Sequence, residues 1–510
     1  MANQRDVDAD LRGVVEQIEA AFRADDLEKV VALIGRNTTL AWVGIDPDRS
    51  RAIFRAIAAK GIPLVDHAPL IPFLLSAHDG SGTATMAKAF VNPEMLPTLR
   101  RLATMLSLVT RGQTAELPDA LDAVDRDLAD VTNVTYHDDD LRMIALLESG
   151  LAAVQLGDFA RGLGLYTLAQ LQVTSPTLVP LTRLAYLRAA LVHCCFGDPA
   201  DGLRALDRAN ELPRLSSWLE IEATADEAIV RAATSLEDFA SAREQLDAIP
   251  MHTLGPSWPF YIVTLRRVLL RMGDPAEFVK RLTLLEQLRF PMTPGIGFTG
   301  SVLAAVRAEY LLFRGDTGRA AEVMRTMDQS YIGTIAQQMW MELLSGRQRR
   351  AISLASELSR SPAGRGLRDV EVWRCAGLAT AYFGLGDADA AIEVLRSVLQ
   401  VAGGLLPQDI GYFSPDLREF AIEHVEGWPA ADSRWTKLAT HGHRDAGISL
   451  TKREREVIRL LATDLKRDDI AAALFISPNT LKSHLRALFK KIGVSSREAA
   501  VLRAHREGWL

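Results

Sequence analysis

The chain of 510 residues is expected to be all-α: a long solenoid of stacked helix pairs, followed by a compact four-helix domain. Three observations lead there. A Gly-Asp word with an amphipathic helix behind it recurs through the middle of the chain. Ala, Leu and Arg crowd nearly every segment while aromatics make up only 6%, a balance that favours helix over sheet. Residues 448–510 also reverse the charge of the rest, with 13 Lys+Arg against 7 Asp+Glu, which leaves −12 for everything before them in a chain of net charge −6. That asymmetry is the pattern of an attached nucleic-acid-binding module. The length exceeds what one hydrophobic core holds, and 48% apolar with 24% charged residues is an ordinary soluble composition.

Residues 1–75 form an N-terminal helical segment in this reading. "NTTLAWVGIDPDRSRAIFRAIAAKGIPLV" could also be read as strand, helix, strand. Helix is preferred because "AFRADDLEKVVALIGRN" before it is itself a helix–Asp–helix unit. Residues 76–424 are expected to be the repeat array. The Gly-equivalent positions are Gly157, Gly197, Glu237, Gly273, Gly315, Gly346 and Gly386, with spacings of 40, 40, 36, 42, 31 and 40. Weaker copies sit near Gly80 and Gly112. Glycine ends one helix by taking the left-handed conformation, and Asp caps the next by accepting from its free N–H groups. Apolar residues such as Ala390, Ile392, Val394 and Leu395 then fall on one broad face. No single pair can bury that face, so neighbours must stack.

Chemistry-bearing motifs are few. "GSGTATMAK" (Gly80 to Lys88) lacks the Gly-Lys-Ser/Thr ending of a phosphate loop and is read as a turn between helices. "HDDDL" (His137 to Leu141) is read as an exposed helix start, since successive residues point to different faces. His252 and His424 are isolated, and no nucleophile–base pattern, paired carboxylates or alternating strand–helix phosphoreceiver pattern stands out. Cys194, Cys195 and Cys375 have neither disulfide nor metal-ligand spacing and are expected to pack in a core in a reducing cytoplasm. No catalytic residue, metal site or cofactor is expected, and the polar N-terminus is not a signal peptide.

Residues 425–447 are polar and broken by Pro and Gly, and are read as a linker. In the domain at 448–510, Thr451 with Glu454 forms a capping-box pattern ahead of a first helix. A short second helix follows, then Ser477 as N-cap and Pro478 at the first position of a third. The expected core is Val457, Leu461, Ile470, Leu474, Leu481, Leu485, Leu488 and Ile492. At about 100° per residue, Asn479, Lys482, Ser483, Arg486 and Lys490 share one side of the third helix, and the leucines take the other. Such a basic, hydrogen-bonding strip suits the DNA major groove.

The repeats resemble a tetratricopeptide-type array with longer units and no complete consensus, and another α-solenoid class stays open beside it. "LTKREREVIRLLA…DLKRDDIAAALFISPNTLKSHLRALFKKIGVSSREAAV" resembles the LuxR-type (GerE-like) helix-turn-helix domain through its Leu-Thr-x-Arg-Glu opening, Thr-Leu-Lys-x-His word and Arg-x-x-Ala ending. The whole is similar to MalT-like regulators without their ATPase portion. The resemblance implies that Lys482, Ser483 and Arg486 face bases, with Asn479 beside them on the same strip. It implies that Thr480, Lys490 and their neighbours hold phosphates, and Lys466 and Arg467 add positive charge near the backbone. It also implies that a last helix with Glu498, Val501, Leu502 and His505 pairs two domains. Two departures stand out: Asp464 where the family has Gly, and Lys466-Arg467 in place of a Ser-Asn cap. The expected function is a DNA-binding transcriptional regulator, dimeric on double-stranded DNA, with a solenoid that takes a small ligand or a partner protein. The competing reading is a solenoid adaptor whose last helices bind protein.

Overall fold

A computed structural model describes residues 4–63, 97–130, 139–172, 178–235, 238–272, 275–288, 290–314, 316–429, 452–463, 465–474, 476–492, 494 and 496–507. The regular elements among the described residues are all helices, with no strand. Four helices open the chain: α1 (Gln4–Arg23), α2 (Leu27–Arg36), α3 (Thr38–Gly44) and α4 (Pro47–Ala59). Antiparallel pairs follow as α5 (Pro97–Arg111) with α6 (Leu117–Ala129), α7 (Asp139–Leu156) with α8 (Phe159–Gln170), and α9 (Val179–Phe196) with α10 (Pro199–Glu211). The array continues with α11 (Leu219–Thr234) and α12 (Phe239–Asp247), α13 (Trp258–Arg271) and α14 (Pro275–Gln287), and α15 (Gly297–Phe313) and α16 (Thr317–Met324). It closes with α17 (Ile332–Leu344) and α18 (Gln348–Arg360), α19 (Arg368–Leu385) and α20 (Ala388–Val398), and the single helix α21 (Pro415–His424).

The repeated Asp does what its position dictates. Asp158, Asp238, Asp316 and Asp387 each accept from the backbone N–H three residues on, at 2.9–3.2 Å. Asp26 does the same ahead of α2, at 3.1 Å. Gly157, Gly346 and Gly386 sit at positive φ, as does Gly112. Gly197 does not: its φ is −107°. There the need for glycine is spatial, because a Cβ would stand 3.0 Å from His193 Nδ1 and 3.1 Å from its Cα. The copy near Gly80, the Glu237 position, Gly273 and Gly315 lie outside the described residues.

The array winds back on itself. Nearly all of α9 is buried, Arg183 and Arg188 included, whereas α10 buries only Gly202, Leu206 and Ala209. The inner helix is covered by its own partner and by a later turn of the superhelix. Thr299 donates to the Gln155 carbonyl at 3.4 Å, Thr293 to that of Gly112, and Thr114 N–H to Thr293 Oγ1 at 3.3 Å. The N-terminal helices join the same core: Ser217 donates to the Val43 carbonyl at 2.6 Å and Ser216 N–H to Asp8 at 2.8 Å.

Aromatic residues from successive pairs meet along the axis of this winding. Phe159 stacks on Phe196 at 4.3 Å between centroids, and both pack edge-on against Phe298. Phe260, Tyr331 and Trp373 complete the hub. Ring pairs in these geometries add about 0.5–1.5 kcal/mol each beyond burial. Several charges that end inside are paired. Arg183, fully buried, donates to Glu220 at 2.6 Å, to Glu227 at 3.0 Å and to the Ala209 carbonyl at 3.1 Å. All three cysteines are free and buried, and burial pushes the Cys375 thiol up to about 11. The array core runs past the expected start of the linker, because Val425 and Trp428 are buried in it. Trp428 packs edge-on against Phe413 at 5.1 Å. Residues 430–447 of that segment lie outside the description.

No helix among the described residues is long and apolar enough to cross a membrane. None of their His, Cys, Asp and Glu side chains gather as a metal would need. The "HDDDL" segment is described only from Asp139, where α7 begins.

Candidate nucleic-acid interface

Among the described residues the C-terminal domain has four helices: α22 (Lys452–Leu461), α23 (Arg467–Ala473), α24 (Pro478–Lys491) and α25 (Arg497–Glu507). They enclose a separate core. Val457, Leu461, Ile470, Leu474, Leu481, Leu485, Leu488 and Ile492 are all buried in it, together with Ile458, Ala471, Ala500 and Ala504. Fully burying a Leu or Ile side chain contributes roughly 1.5–3 kcal/mol, so this short segment holds a core of its own.

The third helix starts where its sequence says it should. Ser477 Oγ accepts from Thr480 N–H at 3.1 Å and lies 2.8 Å from Thr480 Oγ1, and Pro478 occupies the first turn. Leu481, Leu485 and Leu488 are buried, while Asn479, Thr480, Lys482, Ser483, Arg486 and Lys490 are exposed. Ser483 Oγ donates back to the Asn479 carbonyl at 3.2 Å, leaving its lone pairs outward. Asn479, Lys482, Arg486 and Lys490 make no hydrogen bond or ion pair with the described residues. They line one groove with Arg467 and Asp468 of the second helix. A row of unpaired donors above an apolar floor can meet phosphates and base edges without breaking any internal contact.

Lys466 and Arg467 are exposed at the start of α23. Lys466 has no side-chain oxygen to cap with, but Asp469 reaches back and accepts from its N–H at 3.3 Å. That supplies the reciprocal half of a capping box. Thr451 and Asp464 lie outside the described residues, and Glu454 pairs with Lys491 at 2.7 Å. On α25, Glu498 is exposed and Val501 half-buried, and the side chains of Leu502 and His505 are outside the description.

Arg497, the first residue of the Arg-x-x-Ala ending, has a contact that was not read from the sequence. Arg497 donates to the Leu461 and Leu465 carbonyls, both at 2.9 Å, and to that of Thr463. It closes the C-terminal end of α22, where the family's glycine is replaced by Asp464. A signal was available: Arg497 opens a helix, where the dipole disfavours a cation, so its charge has to serve a tertiary contact.

Fold and site together define a class: a helical array carrying a small helix-turn-helix domain with a basic outer helix. Residues 448–504 match the family described as bacterial regulatory proteins, luxR family, and this segment is a LuxR-type DNA-binding domain. The chain is 28% identical over 196 residues to the CsgBAC operon transcriptional regulatory protein of Escherichia coli K12, covering 36% of this chain and 79% of that protein. It is 34% identical over 140 residues to a nitrate/nitrite response regulator protein homolog of Haemophilus influenzae, covering 27% and 66% of the two chains. Over 58 residues it is 45% identical to a probable transcriptional regulatory protein NarL of Mycobacterium tuberculosis, covering 11% and 27%. No solved structure matches the chain significantly.

Proposed function

We propose that this chain is a sequence-specific transcriptional regulator whose helical array senses a ligand or partner and controls a LuxR-type DNA-binding domain. The observation that carries the reading is the division of α24 into a buried leucine face and an exposed face of unpaired Asn479, Lys482 and Arg486. Lys482, Ser483, Arg486 and Asn479 take the base edges of the major groove. Thr480, Lys490, Lys466 and Arg467 take phosphates. Exposed Glu498 and half-buried Val501, with Leu502 and His505, form the helix through which two domains pair on a two-fold site. The names of the relatives, all regulators, support the same reading. The domains run as an N-terminal helical segment (1–75), the array (76–424 and on to Trp428), a tether, and the DNA-binding domain from 448.

The test is retention on DNA as salt is raised. Binding through phosphates weakens linearly in log–log terms with salt, and a selected site should hold at least 10³-fold tighter than random duplex, about the lower bound for specific binders. Absence of salt-sensitive retention would favour a solenoid adaptor whose last helices bind protein.

A further inference from the structure

The array is acidic as a whole, but the stretch around α18 is not. Residues 345–366 hold five arginines against the single Glu357, a net +4 within residues 1–447, whose balance is −12. The start of α18 also breaks the pattern of the other pairs. Asp158, Asp198, Asp238, Asp316 and Asp387 cap their helices, whereas Arg347 stands at that position before α18 with no side-chain cap. Arg349 and Arg350 follow in the first turn, which has no acidic residue. Cations there oppose the helix dipole. Arg347 is matched by Glu342. Arg349, Arg350, Arg360 and Arg365 are exposed and form no ion pair with the described residues.

The helical period gathers these charges. At about 100° per residue, Arg349, Ser353, Ser356 and Arg360 fall within an arc of about 60° and run for about 16 Å along the axis. The opposite side of α18, with Ala351, Leu354, Ala355 and Leu358, is buried. Arg360 Nε donates to the Ser356 carbonyl at 3.1 Å, and its two terminal nitrogens make no bond to the described residues. Beyond the end of the helix, Arg365 lines a groove with Ser359 and Ser361. Every exposed residue of α18 is Arg, Ser or Glu. A protein-binding patch has an apolar centre, and this surface has none. Arginine and serine without apolar neighbours suit the phosphates of a nucleic-acid backbone.

We propose that α18 is a second DNA contact, a basic strip by which the array holds the phosphate backbone of the duplex beside the site that the C-terminal domain reads. The proposal rests on that domain's binding DNA and adds a role for the array. Residues 430–447 span at most about 60 Å, so a domain seated on its site keeps the end of the array within about 20 base pairs of flanking duplex. Tethering raises the local concentration of phosphates, and a contact too weak to act alone on an acidic body becomes effective. The strip reads no base. It adds affinity and salt dependence without sequence preference.

The experiment uses the full chain and a site selected on residues 445–510, carried either in a duplex of about 20 base pairs or in one extended by about 30 base pairs on each side. One variant joins Arg349→Ser to Arg360→Ser, the two ends of the strip. A second joins Arg204→Ser to Arg208→Ser, the same change of charge at exposed residues of α10. All are full chains, so any restraint of the domain by the array cancels, and circular dichroism checks that each is folded. The native chain should bind the long duplex about tenfold tighter than the short one, with a salt slope steeper by about one for each phosphate engaged. The Arg349/Arg360 variant should lose most of that gain and about two units of slope. Arg365→Ser, outside the helix, should give a smaller loss in the same direction, and the Arg204/Arg208 variant should keep the gain. No gain on the long duplex, a gain kept by the Arg349/Arg360 variant, or a gain lost equally by both double variants would overturn the proposal. An acidic protein as the partner of α18 would give the first of these. Absence of salt-sensitive binding to either duplex would sink the regulator reading as well, whereas binding confined to the short site removes only the strip.

Discussion

The indole N–H of Trp218 donates to the backbone carbonyl of Trp42 at 2.6 Å, although the residues are 176 apart in sequence, and their rings meet edge-on at 6.3 Å. This contact ties the N-terminal helices to the middle of the array. Trp218→Phe keeps an aromatic ring and deletes the donor of this part-buried hydrogen bond. The expected cost is about 1–3 kcal/mol, read in denaturant unfolding, with faster hydrogen exchange in residues 38–44. Unchanged exchange there would mean that the segment is held by other contacts.

Two glycines at positive φ separate backbone strain from the closure of the superhelix. Gly386 has nothing within 4 Å of where a Cβ would stand, whereas at Gly112 that atom would meet Met292 N at 2.4 Å and its Cα at 2.6 Å. Gly386→Ala should cost about 1–2 kcal/mol from the left-handed conformation alone. Gly112→Ala should cost clearly more, because two turns must move apart. Equal losses in urea titrations would argue against the tight packing of residue 112 on 292.

On the outer face of α24, Arg486 and Lys490 should behave differently. Arg486→Ala is expected to weaken binding to a selected site by about 1–3 kcal/mol and to relax sequence preference. Lys490→Ala is expected to weaken all duplexes alike and to reduce the salt slope by about one. Anisotropy titrations on matched and scrambled duplexes distinguish the two.

The Arg267–Asp369–Arg368–Asp409 cluster gives the array a pH signature. Burial pushes the Asp369 carboxyl up to about 6 against the pull of Arg267, and the Asp409 carboxylate adds to the rise. A carboxyl raised on folding holds its proton better in the folded state, so its contribution to stability is present at low pH. That contribution is lost as pH climbs from about 4 through about 6. Asp369→Asn removes the titration and leaves a constant offset from the nearby arginines. The stability difference should therefore drift in favour of Asn by on the order of 1–3 kcal/mol between pH 4 and 7. A flat difference across that range would refute the assignment.

The opposite charges of the array and the DNA-binding domain, −12 and +6, suggest one more measurement. Residues 445–510 enclose their own core and can be prepared alone. If the array restrains the domain, the isolated fragment should bind promoter DNA more tightly than the full chain at low salt, with the gap closing as salt rises. Fragment affinity no better than that of the full chain would exclude restraint.

Much of this molecule follows from local sequence. Asp387 caps because its oxygen lies within reach of free N–H groups whatever surrounds it, and Gly386 turns because it has no Cβ. The two faces of α24 follow from helical period alone, which is why Leu481, Leu485 and Arg486 could be placed before any coordinates. The tertiary structure decided what depends on residues far apart in the chain. Nothing near Trp42 names Trp218, nothing near Arg497 names the carbonyls of Leu461 and Leu465, and Gly197 reads as a turn glycine until His193 is seen against it. The aromatic hub belongs to that second kind. Phe196, Phe298 and Trp373 meet only because the pairs wind tightly enough to bring successive turns together, and the pitch of a solenoid is set by the sum of many small packing angles that no single repeat contains.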